Sequence, residues 1–167
     1  MLEAFGIALV ADVRSVPHSR HNPQFDTAGM RVWLPAAGIG YEHLPDLGGF
    51  RHVRPGSPNT GWRNEAFRGY ADYMLTPEFD AALAHLMTLA AGRATAVMCA
   101  EAVPWRCHRS LIGDALLVRG LEVIDILGPS ASRRHHLTPF ARVDGTMLTY
   151  PAPADTPGAG GAAGSST

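Results

Sequence analysis

Short, almost unbroken apolar runs alternate along the chain with longer stretches whose apolar residues recur every three or four positions. Residues 7–13, Ile7-Ala8-Leu9-Val10-Ala11-Asp12-Val13, read as a strand buried on both faces. A polar, proline-punctuated loop follows over 14–25. Asp26 or Thr27 then caps a helix predicted to run through Leu34, weakened by Gly29 and ended by Pro35. Residues 39–44 read as a second strand, closed by Pro45 and Gly48-Gly49. The irregular segment 50–61, with Arg51, His52 and Arg54, has a length uncommon for loops that are neither functional nor disordered.

A helix is predicted over 64–74. Thr76-Pro77 opens another as N-cap and first-turn proline, with Phe79, Leu83, Leu86 and Leu89 at helical spacing and Gly92 as its stop. A strand ending at Cys99, a helix from about Cys107 to Arg119 stopped by Gly120, and a strand over 121–127 come next. Strands alternating with helices predict an α/β domain, a mostly parallel sheet with helices on both faces. Residues 140–150 read as a C-terminal β-hairpin turning at Asp144-Gly145. The expected organisation is one domain over 1–150, then a tail over 151–167 too poor in apolar bulk to fold and therefore disordered.

Composition narrows the class. The chain of 167 residues is 46% hydrophobic, enough for one domain with a real core. A net charge of −1 argues against a general polyanion binder. All 14 basic residues are arginine, a count from which no function follows. Two cysteines do not make a disulfide scaffold and fit reduced thiols. No run has the length of a transmembrane span, and no charged region precedes a leader-like apolar stretch, so a soluble cytoplasmic protein is expected.

The chemistry is densest in Met98-Cys99-Ala100-Glu101-Ala102-Val103-Pro104-Trp105-Arg106-Cys107-His108-Arg109, between a strand and a helix. Ligand sites of α/β proteins lie at such strand ends. Cys107 at the following helix start has its thiolate favoured by the unpaired N–H groups there and by Arg106, His108 and Arg109, which makes it the preferred nucleophile. Cys99 faces the same crevice, with Glu101 as a general acid or base. Three readings stand open: a nucleophilic thiol, a redox pair, and a metal held by Cys99, Cys107, His108 or Glu101. The bland alternative is a small buried Cys99 with an incidental Cys107. Two familiar motifs are absent. The arginine of a thiol-phosphatase loop would fall at Trp105, one place before Arg106, and no Cys-x-x-Cys is present. No cofactor is required by these residues.

Asp12-Val13-Arg14-Ser15 with Ser19-Arg20 forms a second constellation. Arg14 and Arg20 offer planar forks suited to carboxylate or phosphate, and Asp12 at a strand end can act in catalysis or simply bridge an arginine to hold the loop. In the third, Tyr41-Glu42-His43-Leu44-Pro45-Asp46-Leu47-Gly48-Gly49, the glycines permit close approach to a ligand. His43 alone is more often a hydrogen-bonded structural residue. Trp62, Phe67 and Tyr70 beside arginines can stack on bases but more often pack a core, so nucleic-acid binding is the minority reading.

Several of these strings resemble the DUF488 family of bacterial and archaeal proteins. They are Asp12-Val13-Arg14-Ser15-x-Pro17-x-Ser19-Arg20-x-x-Pro23-x-Phe25, Tyr41-x-His43-Leu44-Pro45-x-Leu47-Gly48-Gly49, and Met98-Cys99-Ala100-Glu101 with Cys107-His108-Arg109. Asn64-Glu65-x-Phe67-x-Gly69-Tyr70-Ala71-x-Tyr73-Met74 and Leu137-Thr138-Pro139-Phe140-Ala141 extend it over most of 7–151. The resemblance implies a compact α/β fold that brings the cysteine groups near the Asp-Val-Arg loop; it implies no particular reaction. It also implies an opening strand and helix ahead of the Asp-Val-Arg strand, whereas this chain starts at Met1-Leu2-Glu3-Ala4-Phe5, within that helix. Loss of a strand would leave an open edge, so an upstream in-frame start carrying a further site histidine is expected.

Together these observations predict an enzyme with a thiol-containing, arginine-lined pocket for an anionic small molecule such as a nucleotide or phosphorylated metabolite. Cys107, Cys99, Glu101, His108 and Asp12 would do the chemistry. Arg14, Ser15, Ser19, Arg20, His43, Gly48, Gly49 and Arg109 would bind the anion. The alternative is a metal- or nucleic-acid-binding module without turnover.

Overall fold

The computed structural model describes residues 1–18 and 22–153; the expected disordered tail falls, from residue 154 on, outside the described residues. Strand β1 (Leu9–Asp12) is buried at all four positions and forms the middle of a three-stranded parallel sheet. Its neighbours are β2 (Gly40–His43) and β3 (Thr95–Met98), in the order β2-β1-β3, with Asp12 opposite both His43 and Met98. Successive β1 side chains point to opposite faces, and an apolar run of this kind is stable only when both are covered.

Helix α1 (Thr27–Ala36) covers one face, where Val10 packs with Met30, Leu34 and Ile39. Three helices cover the other: α2 (Glu65–Tyr73), α3 (Pro77–Ala90) and α4 (Arg109–Leu117). There Ala11 and Val13 meet Tyr70, Phe79, Leu83, Leu111 and Ile112. The Asn64 side chain caps α2 by accepting from the Ala66 and Phe67 N–H groups, and Thr76 Oγ1 caps α3 by accepting from Phe79. α1 runs to Ala36 rather than stopping before Pro35. Proline tolerates helical φ, and the Ala37 N–H closes the last turn onto the Trp33 and Leu34 carbonyls.

The strand expected over 121–127 forms as β4 (Ile124–Gly128), but outside the parallel sheet. It pairs antiparallel with β5 (Ala131–Arg134). All four β5 residues are exposed, so no apolar alternation announced it. The C-terminal hairpin is β6 (Arg142–Asp144) with β7 (Met147–Thr149), joined through Gly145-Thr146. Gly145 takes the positive φ of 60° that the first position of a two-residue hairpin turn requires. No helix among the described residues is long and apolar enough to cross a membrane.

Two buried carboxylates fix the irregular parts. Asp72 on α2 accepts from Ser57 Oγ (2.5 Å), Asn59 Nδ2 (2.8 Å) and the Arg54 N–H (2.9 Å), which pins the segment 50–61. Asp114 on α4 accepts from the Thr138 N–H (3.1 Å) and Tyr150 Oη (3.0 Å) and faces His135 Nε2 (3.0 Å). The other His135 nitrogen, Nδ1, faces Asp125 Oδ1 on β4 (3.3 Å), and Arg133 reaches the second Asp125 oxygen. His135 therefore ties the β4–β5 hairpin to α4.

The hydrogen bond to Asp114, with the charges of Asp114 and Asp125, raises the His135 pKa above its ordinary 6.5 against the cost of burial. A raised folded-state pKa means that this contribution is complete below pH 6.5 and is lost as pH rises through the higher folded value. The urea midpoint is expected to fall on going from mildly acid to alkaline pH. His135→Gln should flatten that fall and cost on the order of 1–3 kcal/mol at the acid end.

Candidate functional site

Cys99 is the first residue beyond β3, whose end is held by the Val13 N–H on the Met98 carbonyl (2.9 Å). Strand alternation turns it with Val97 toward the face covered by α2–α4, where it is half-buried. The chain then makes a single 3₁₀ turn at Pro104–Arg106, and the Cys107 N–H closes it on the Pro104 carbonyl. Cys107 is buried at 4% exposure, two residues before α4 begins. Ser110 donates both its N–H and its hydroxyl to the Cys107 carbonyl, which fixes the entry into the helix. This return places Cys99 Sγ, Cys107 Sγ and a His108 ring nitrogen within 4.8 Å of one another.

The hydrogen bonds decide which sulfur carries charge. The Cys107 thiol donates to Cys99, and His108 and the Glu101 backbone N–H add to the same sulfur. These outweigh partial burial and hold the Cys99 thiol far below its ordinary value, at about 3. Cys107 is pushed up strongly, because its proton is committed to Cys99 and it lies beside that charge; the Arg109 N–H only partly offsets this. The Cys107 sulfur also lies 3.5 Å from His108 Nδ1. His108 Nε2 is buried with no hydrogen-bond partner among the described residues, and the ring packs on Tyr70, centroids 4.9 Å apart.

Both sulfurs and His108 line a cavity of about 360 Å³. Arg14, Ser15, Gly49, Ala66, Phe67, Glu101 and Arg106 complete its walls. Val16 and Phe50 also line it, and they are 71% and 86% exposed. These two give the cavity an apolar margin that the sequence reading missed; each sits in a polar loop with no periodic pattern to mark it. Trp105, two residues before Cys107, is braced by the Arg133 guanidinium of β5, 4.4 Å from its ring centroid.

At both glycines of the Gly48-Gly49 pair other protein atoms approach the backbone closely. A Cβ on Gly49 would lie 2.5 Å from His108 Nδ1, and one on Gly48 would lie 2.3 Å from Ser15 Oγ and 2.8 Å from the Pro45 carbonyl. Gly49 is thus the surface on which the site imidazole rests.

The Arg14 fork is engaged by Asp12, with Nε 2.8 Å from Oδ1 and Nη2 2.6 Å from Oδ2, and Nη2 also donates to the Phe25 carbonyl. Asp12 is fully buried and accepts from Tyr41 Oη (2.8 Å) and the Arg14 N–H as well. Four donors saturate its oxygens, and it is not part of the cavity wall. It holds the loop. His43 lies beside it and its Nε2 is 2.8 Å from the Arg14 carbonyl oxygen. Arg109 donates to the Glu101 carbonyl and lines a different groove, beside β3. Only Arg106 of the cavity arginines has no such partner among the described residues. Ser19 and Arg20 lie outside the described residues. Trp62, Phe67 and Tyr70 belong to or pack on the core, with Trp62 ringed by Phe67, Phe140 and Tyr150.

Cys99, Cys107 and His108 are three donors of the type that bind zinc, one short of a closed tetrahedral set. Glu101, the fourth candidate, is not within that group.

Gly49→Ala is expected to push the His108 ring off the sulfurs, since the added Cβ would meet three of its ring atoms within 3.0 Å. The Cys99 thiolate then loses a donor, and its alkylation profile should move to higher pH, by about one unit per 1.4 kcal/mol of lost stabilisation.

A family model described as "Domain of unknown function DUF488" matches residues 1–116, which takes in both sulfurs, His108 and the three parallel strands. No curated protein and no solved structure matches the chain. The match spans well over half the sequence and contains the motifs that line the cavity, so the chain belongs to the DUF488 family.

Proposed function

We propose that this protein is an enzyme that uses Cys99 as a nucleophile toward a small molecule bound in the cavity. The observation that carries the proposal is geometric: Cys99 Sγ is half-buried at a cavity wall, with Cys107 Sγ and a His108 ring nitrogen within 4.8 Å of it. Donors aimed at a thiolate in a partly enclosed site keep it ionised at neutral pH, which is what a nucleophilic cysteine needs. Sequence position favoured Cys107 for this role. Its burial and its role as donor make Cys99 the better assignment.

In this scheme Cys99 Sγ forms the bond to substrate, and His108 or Glu101 supplies the proton that the leaving group takes up. Phe50, Phe67 and Val16 offer apolar surface to the substrate, and Arg106 offers a guanidinium to an anionic group on it. Anion recognition then rests on Arg106 rather than on Arg14 or Arg109, whose guanidinium groups are engaged elsewhere.

The test is site-resolved alkylation by iodoacetamide as a function of pH, with elemental analysis of the same sample. An ordinary thiol slows about tenfold for each pH unit below its pKa of about 8.5. Cys99 is expected to label at a nearly constant rate from pH 8 down to about pH 5, and Cys107 to stay unlabelled in the native protein. Cys99→Ser should abolish the labelling without unfolding the chain. First labelling at Cys107, an ordinary profile at Cys99, or thiols silent until a chelator strips a stoichiometric metal would each overturn the assignment.

A further inference from the structure

The nucleophile reading leaves one buried group unused, and it lies within 4.8 Å of the nucleophile. Cys107 is not needed to form a covalent intermediate at Cys99. Yet its sulfur lies within 4.8 Å of Cys99 Sγ, and both sulfurs line the same cavity. The two differ in access: Cys99 is half-buried, while Cys107 is 4% exposed. An outer thiolate backed by a shielded thiol is the arrangement by which a first attack at one sulfur is followed by resolution at the other.

We propose that Cys99 and Cys107 form a thiol–disulfide exchange pair that reduces low-molecular-weight disulfides entering the cavity, with Cys99 attacking and Cys107 resolving. This rests on the assignment of Cys99 as nucleophile and names its substrate class. In the first step the Cys99 thiolate attacks one sulfur of the substrate disulfide. A mixed disulfide forms, and the other half leaves as a thiolate. In the second, Cys107 attacks Cys99 Sγ, its proton passing to the departing thiolate directly or through His108, 3.5 Å from its sulfur. One substrate disulfide becomes two thiols, and the two cysteines become one disulfide. Two equivalents of a low-molecular-weight thiol return the pair to its starting state.

The surroundings suit both halves of the cycle. Cys99 follows a strand held by β1, whereas Cys107 stands on a loop whose only regular feature is a single 3₁₀ turn. Moving from contact to a sulfur–sulfur bond of about 2.05 Å falls on that loop and not on the sheet. The contacts that stabilise the Cys99 thiolate also stabilise the reduced pair, so the protein disulfide is readily opened by thiols. Val16 and Phe50 at the margin provide apolar surface for the organic part of the substrate.

The experiment treats the full chain with oxidised glutathione at about pH 7, blocks free thiols by alkylation, and maps tryptic peptides by mass spectrometry. Cleavage after Arg93, Arg106 and Arg109 separates the two cysteines into residues 94–106 and 107–109, so an internal disulfide appears as these two peptides linked. The expected result is linked peptides with no retained glutathione, reversed by reduced glutathione. Cys107→Ser should instead accumulate glutathione on Cys99 and release it at least tenfold more slowly. A wild-type protein that keeps glutathione on Cys99 without linking would overturn the resolving role while leaving the nucleophile standing. So would a Cys99 that reacts with iodoacetamide but not with oxidised glutathione. A Cys99 inert to both reagents would overturn the nucleophile assignment itself.

Discussion

A buried carboxylate must be fully hydrogen-bonded, and this fold is organised around three that are. Asp12, Asp72 and Asp114 are at most 1% exposed, and each draws its donors from a different irregular segment. Asp12 holds the loop after β1 through Arg14. Asp72 holds 50–61 through Ser57, Asn59 and the Arg54 N–H. Asp114 holds the C-terminal third through His135, Thr138 and Tyr150. An unpaired carboxylate at any of these depths would cost several kcal/mol, so the loops are not free to leave. A three-stranded sheet is a small platform, and these contacts extend order well beyond it.

The site is where the stapled loops meet. The loop tied by Asp12 brings Ser15 against Gly48, and the next residue, Gly49, carries the His108 ring. Segment 50–61 crosses α2 and leaves Phe50 at the cavity margin. The hairpin tied by Asp114 and Asp125 supplies Arg133, which braces Trp105 two residues before Cys107. Two stretches of the cavity wall, Arg14 to Val16 and Gly49-Phe50, therefore adjoin loops held by a carboxylate outside it. Asp12, a catalytic candidate in the sequence, and Arg14, an anion-binding candidate, are bonded to each other and hold the loop after β1.

Much of this was legible in the sequence. The runs at 7–13 and 94–99 gave their strands because strands covered on both faces admit few polar residues, and Asn64, Thr76 and Pro77 marked helix starts by their capping chemistry. The clustering of Cys99, Glu101, Cys107 and His108 at a strand end located the cavity. What stayed hidden depends on long-range contact. β5 has four exposed residues and no alternation, and β4 joined it rather than the parallel sheet. Val16 and Phe50 look like ordinary loop residues. The commitment of Arg14 to Asp12 was one of two readings the sequence held open, and only the count of donors on Asp12 separates them.

The division between the two cysteines shows the limit of position-based reasoning. A thiol near a helix start profits from the helix dipole and from free N–H groups, and Cys107 does gain from the Arg109 N–H. That stabilisation is modest beside direct donation from three groups, all of which Cys99 receives. Two neighbouring thiols cannot both ionise cheaply, since the second charge would face the first at contact distance. The sulfur with more donors takes the charge, and the other, by keeping its proton, becomes one of those donors. The pair therefore acts as one unit in which the helix start favours Cys107 only weakly and the end of β3, with its inward-turned sulfur and the following N–H, decides the outcome for Cys99.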